Sequence, residues 1–214
     1  LTLAIDSVIS RSTVMELCES FFALTPPTRL KIRHEALSGT LEALTSGKAD
    51  LAIGVAIETL LDRSVQSKPL GTLRFVYAVA PHHPLASAAE PISNANLMPH
   101  RAVAVADSVQ RGSGLTVGLM GGQDIFTVPG MQEKLDAQLR GLGGGFLPEY
   151  LARPHIASGR LVEKHMQRPV RAIPMSYAWR RAGTGKEGRA LQWWLQQLEN
   201  PATRKALLER AQSI

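Results

Sequence analysis

The sequence predicts an α/β protein made of two βα sets, joined where the chain crosses near residue 80 and returns near residue 178. Three observations carry that expectation. Strand-length apolar runs alternate with helix-period stripes from Leu1 to Val55, the pattern of parallel βαβ units. The alternation restarts at Ala102 and runs to Leu147. The apolar strand Leu73–Ala80 and the strand-like Met175–Arg180 stand at the two crossings. Two crossings make a hinge with a cleft between lobes. Residues 1–79 with 179–214 are then subdomain I, and 80–178 subdomain II.

Leu1–Asp6 is a short apolar run of strand length. Val14, Leu17, Cys18, Phe21 and Phe22 follow at helical spacing, and Pro26-Pro27 stops that helix. Leu30–His34 alternates as a half-buried strand. Ser38 is placed to cap a second helix that presents Leu41 and Leu44 and ends at Gly47. Leu51–Val55 is the next strand, and a loop leads to Leu70-Gly71. Beyond the crossing, Pro81-His82-His83-Pro84 is a surface turn and Glu90–Pro99 is turn-rich. Ala102–Ala106, Leu115–Leu119 and Ile125–Val128 are strands. Pro129 suits the first turn of a helix carrying Met131, Leu135 and Leu139 and ended by Gly141. Gly143–Leu147 is a buried strand, Pro148 opens a turn, and Leu161-Val162 is strand-like. Leu191, Trp194, Leu195 and Leu198 stripe a helix ending at Asn200-Pro201, before a weak polar helix over Thr203–Gln212.

With 44% apolar and 20% charged residues in 214, the chain is neither disordered nor fibrous. No apolar run approaches the ~18 residues of a membrane span. Cys18 is the only cysteine, which excludes an internal disulfide and a Cys-rich zinc site. The opening residues lack a signal peptide's basic end and cleavage site, so a cytoplasmic protein is expected. The net charge of +6 lies beyond residue 80, but without a block of like charges and with 5% aromatics it reads as a solvated face.

Candidate chemistry is sparse. Gly141–Gly145 follows a helix and precedes a strand, the reverse of a phosphate loop. The six histidines lack metal-ligand spacing. No Gly-x-Ser-x-Gly surrounds a serine, and Cys18 lies on an apolar helix face. No catalytic or metal-binding residue is therefore expected, and no cofactor. Two loops remain: Asp6–Ser10 after the first strand, and Thr127–Gly130 after a strand of the second set. Both sit at the carboxyl edge of an α/β sheet, where ligands bind. The pattern fits ordinary N-capping and a ligand loop equally.

Ser38–Gly54 (SGTLEALTSGKADLAIG), Pro81–Leu85, Gly141–Pro148 and Gly159–Val162 resemble, in order, the effector-binding domain of LysR-type transcriptional regulators. The resemblance covers residues 1–200 and implies a type 2 periplasmic-binding-protein fold, with two Rossmann-like subdomains and a small-molecule effector between them. It places effector contacts on Ser7 and Val8, on Leu37 and Ser38, and on Thr127, Val128 and Pro129. Leu37 departs from the polar residue many members carry. With Asp6 and Asp107 the only charges nearby, the effector is expected to be small and partly apolar. The resemblance further implies no catalytic activity and a homodimer or tetramer. The helix of Met131, Leu135 and Leu139 would meet that of Leu17 and Phe21 across its interface. Operator DNA would be bound through an N-terminal winged helix-turn-helix domain that this chain does not include. The alternative is a periplasmic solute-binding protein of the same fold.

Overall fold

Leu3, Ala4 and Ile5 form the buried middle of β1 (Thr2–Asp6), and burial on both faces marks it as a central parallel strand. In the computed structural model, residues 1–56, 64–110, 118–167, 172–181 and 187–210 are described. The chain divides into two units. The first is Leu1–Thr72 with Ser108–Ser113 and Ile173–Ile214, and the second is Leu73–Asp107 with Gly114–Ala172.

In the first unit, β1 is followed by α1 (Arg11–Ala23), β2 (Lys31–Glu35), α2 (Ser38–Thr45), β3 (Leu51–Ala56) and β4 (Val65–Leu73). The order of strands is β2-β1-β3-β10-β4, where β10 is Ile173–Arg180. β1 runs parallel to β2, pairing Asp6 with Glu35, and parallel to β3. β10 is antiparallel to β3. Ala43 and Leu44 of α2 pack on Ala4, Ala52, Val55 and Ala178. Small residues on the strands let the helix approach closely. α6 (Arg189–Glu199) and α7 (Pro201–Glu209) complete the unit, with Trp194 fully buried and tilted against Phe21.

The second unit contains β5 (Phe75–Val79), a 3-10 turn (Pro84–Ser87), α3 (Asn94–Leu97), β6 (Ala102–Val105), β7 (Ile125–Val128), α4 (Met131–Leu139), β8 (Gly145–Pro148), α5 (Glu149–Ala157) and β9 (Val162–Lys164). Strands pair as β8-β5-β9 and β6-β7. A parallel bridge from Ala102 to Gly144 joins the two, with Val103 N–H donating to the Gly144 carbonyl at 2.9 Å. The combined order, β7-β6-β8-β5-β9, repeats that of the first unit, with β5 in the place of β10.

The crossing strands pair inside one unit each. β5 pairs with β8 and β9, and β10 with β3. Residues 73–79 therefore fall in the second unit and 173–178 in the first, the opposite of the division drawn from the sequence.

Other local differences have physical causes. Leu37, not Ser38, occupies the N-cap of α2, without a side-chain cap bond. Gly130 holds the N-cap of α4, so Pro129 lies just outside the helix. The expected loop before Leu70 is the edge strand β4. The turn at Pro148 opens helix α5, which tolerates Pro154 in its interior. Phe22 is exposed because the buried stripe of α1 runs through Thr13, Val14, Leu17, Cys18 and Phe21. His83 is buried, and its Nδ1 accepts the Leu85 N–H at 3.1 Å, capping the 3-10 turn. Of the expected strand Leu115–Leu119, residues 115–117 lie outside the described residues. Leu17, Phe21, Met131 and Leu135 are buried in the cores of their own units, so a meeting of α1 with α4 across two copies would use the other faces of those helices.

Candidate functional site

In the first unit the site grows from the carboxyl ends of β1 and β2. Asp6 is buried there, and its two oxygens are committed. Oδ1 accepts the Val8 N–H at 3.0 Å, and Oδ2 accepts the Thr40 hydroxyl of α2 at 2.9 Å. The Ile9 N–H donates to the Asp6 carbonyl at 3.0 Å, closing a tight turn. Gly54 of β3 leaves room for that turn. It has φ +94°, and a Cβ there would stand 2.7 Å from Asp6 Cβ and 2.8 Å from Ile9 Cγ1. Ser10 caps α1 through the Thr13 N–H, and its own N–H donates to the Leu207 carbonyl at 2.9 Å. The Ser7 N–H donates to the Glu35 carbonyl at 2.8 Å. That leaves the Ser7 hydroxyl half-buried and without a hydrogen bond among the described residues.

Beside it lies the entry to α2. The register that pairs Asp6 with Glu35 puts Ser7 next to Ala36 and Leu37. Leu37 has φ +55° and ψ −124°, a conformation that a branched side chain resists and that is stored where surrounding contacts enforce it. Those contacts are visible. The Ala36 N–H donates to Ser108 Oγ at 2.9 Å, and the Ser108 hydroxyl donates to Glu35 Oε2 at 2.7 Å. Arg33 holds the other oxygen of Glu35 at 2.9 Å. Gly39 leaves room for this segment, since a Cβ there would fall 2.8 Å from the Ser108 backbone carbonyl carbon.

In the second unit, β7 delivers Thr127 and Pro129 to the surface and turns Val128 into the core with Val103 and Ala137. The Val128 carbonyl accepts the Ala106 N–H at 2.8 Å. α4 begins immediately afterwards.

The seven expected contact residues thus separate. Ser7, Leu37 and Ser38 gather at one sheet edge of the first unit, and Thr127 and Pro129 share an exposed strand end in the second. Val8 and Val128 bury their side chains. The Val8 N–H is held by Asp6. Sequence reasoning missed Glu35 and Ser108, which set the shape of the α2 entry. The only trace of them in the sequence was the alternation of Lys31–Glu35, which continues one residue past the expected strand end. Cys18 is buried, and burial pushes its thiol up from the ordinary value. Among the described residues no three His, Cys, Asp or Glu side chains could share a metal ion.

Two repeated α/β units with this strand order make a periplasmic-binding-protein-like fold, which solved LysR regulatory domains share. The chain superposes on the regulatory domain of MetR, a LysR family regulator from N. meningitidis, with a TM-score of 0.68 and 16% identity over 97% of this chain and 94% of that one. It also superposes on full-length LysG from Corynebacterium glutamicum with bound effector Arg, with a TM-score of 0.69 and 22% identity over 98% of this chain and 69% of that one. Residues 1–202 match the LysR substrate binding domain, and the chain belongs to that family. It is 35% identical over 194 residues to the HTH-type transcriptional regulator YeeY of Escherichia coli (strain K12), covering 91% of this chain. The chain spans 62% of the length of that relative.

Proposed function

We propose that this chain is the effector-sensing part of a transcriptional regulator acting in the bacterial cytoplasm. It binds a small organic effector without a cofactor, while a separate domain of the whole protein binds operator DNA. The observation that carries the reading is the α2 entry, where Leu37 is held at positive φ beside a Ser7 hydroxyl that has no hydrogen bond among the described residues. Strain of this kind collects at ligand clamps. The effector contacts Ser7, Leu37 and Ser38 in the first unit and Thr127 and Pro129 in the second. It shifts the protein toward whichever state it binds more tightly. The whole protein works as a dimer of identical chains. The exposed apolar groups suited to such pairing are Met15, Phe22 and Leu24 at α1, and Ile125 and Phe126 on β7.

The test uses a ligand selected from small organic acids by thermal stabilisation of the chain, titrated calorimetrically. Ser7→Ala and Thr127→Val each weaken binding severalfold, consistent with about 0.5–1.5 kcal/mol per hydrogen bond. Both variants keep the wild-type melting temperature. Unchanged affinity in both contradicts the site.

A further inference from the structure

Helix α4 lies on strands that carry no carboxylate, amine or imidazole. It packs against β5, β6, β7 and β8, which read FVYAV, AVAV, IFTV and GFLP. Tyr77 is the one ionisable side chain in them, and burial holds its phenol far above the usual range and so neutral. Into this setting α4 sends Lys134 and Gln138, one turn apart on one face. Lys134 is 7% exposed and Gln138 is fully buried. Gly145 of β8 makes room for both. A Cβ there would lie 2.8 Å from Gln138 Nε2 and 3.0 Å from Lys134 Cε.

Among the described residues neither side chain has a partner. Gln138 Nε2 and Oε1 are both enclosed without a hydrogen bond. The Lys134 ammonium makes no hydrogen bond or ion pair among the described residues. The carboxylates of α4 itself, Glu133 and Asp136, are exposed and sit at positions that do not face Lys134 along the helix. The Gln138 amide is enclosed without partners, which is strongly unfavourable, and the Lys134 stem is buried beside it on an apolar face without a counter-charge among the described residues. One occupant relieves both. An anion accepts hydrogen bonds from Lys134 Nζ and Gln138 Nε2 together, and charge-assisted bonds of this kind are the strong ones. The complete burial of Gln138 favours a monatomic anion over an organic acid.

We propose that Lys134 and Gln138 form a binding site for a small inorganic anion, chloride in its native setting, using residues that the effector site does not use. Bromide is the probe, because it scatters anomalously. Thermal unfolding is followed in sodium bromide and in sodium methanesulfonate at equal ionic strength, for wild type, Lys134→Met and Gln138→Leu. Bromide raises the melting temperature of the wild type and leaves that of Lys134→Met unchanged, and Gln138→Leu needs about tenfold more bromide for the same effect. Crystals grown in bromide show an anomalous peak within hydrogen-bond distance of Nζ and Nε2. Two results overturn the proposal. One is an equal bromide response in wild type and Lys134→Met. The other is a crystal structure in which Nζ bonds directly to Gln138 Oε1 with no bromide peak beside them. The crystallographic arm decides the matter should Lys134→Met fail to fold.

Discussion

Asp6 and Lys134 are both buried charges, and they meet opposite fates. Asp6 looks in the sequence like a charge available to a ligand, yet Val8 and Thr40 occupy its oxygens and turn it into the brace of the first-unit loop. Nothing in the local sequence announces this, because Thr40 lies 34 positions away and reaches Asp6 only through the fold. Lys134 has no such brace, and burial pushes its amine down to about 8 from 10.5. With its folded value below its unfolded one, the folded state binds fewer protons between about pH 8 and 10.5, and stability from this group rises with pH across that window. In buffer free of small anions, Lys134→Met therefore stabilises the chain by about 1–3 kcal/mol at pH 7. The advantage over wild type narrows as pH climbs through the window. Urea unfolding of both proteins at pH 7 and pH 10 measures it. A destabilised variant at pH 7 would mean the ammonium is compensated after all.

Elements with a clean period were legible. The buried run of β1, the stripe of α1 and the Leu191–Leu198 stripe of α6 fall within a few residues of their expected positions, because each is specified by one unmixed apolar pattern. β4 was not legible, since Pro69 and Gly71 read as turn residues. An edge strand tolerates both, where one side of the backbone needs no partner. α5 was hidden by Pro154 in the same way. α7 looked weak and polar because only Leu207 and Leu208 are buried from it. Its docking comes from bonds to α1, where the Thr13 hydroxyl donates to the Ala206 carbonyl at 3.1 Å and Arg210 meets Glu16 at 2.6 Å. Asn200 starts this helix by accepting the Ala202 N–H at 2.9 Å, with Pro201 behind it. Asn200→Ala costs about 1 kcal/mol in urea unfolding, and hydrogen exchange should quicken first in α7 and at the Ser10 amide it covers.

At the scale of the molecule, the family was readable because its motifs come in order along nearly the whole chain. The two units repeat one strand order, and each places a loop at the carboxyl edge of its sheet. The site was readable only in part, since the sequence marks which loops end at that edge but not which groups in them are already bonded. Among the described residues, the large apolar side chains left outside are Met15, Phe22 and Leu24 in the first unit and Met98, Ile125, Phe126 and Leu142 in the second. β2 and β7 end their strand orders, and Ile125 and Phe126 lie on β7 itself. Open strand edges flanked by apolar groups favour self-association. A two-fold dimer buries such patches reciprocally, so light scattering at tens of micromolar (about the range at which interfaces of ordinary size persist) gives twice the chain mass. Phe22→Asp lowers that mass toward the monomer without changing the circular dichroism spectrum.

The most direct test of the effector reading is a crystallographic screen of the chain against a library of small organic acids and aromatic fragments. The account predicts that bound fragments concentrate at Ser7, Leu37 and Ser38 and at Thr127 and Pro129, with at least one accepting or donating a hydrogen bond at the Ser7 hydroxyl. Fragments that bind elsewhere on both units and leave these two sheet edges empty would contradict it.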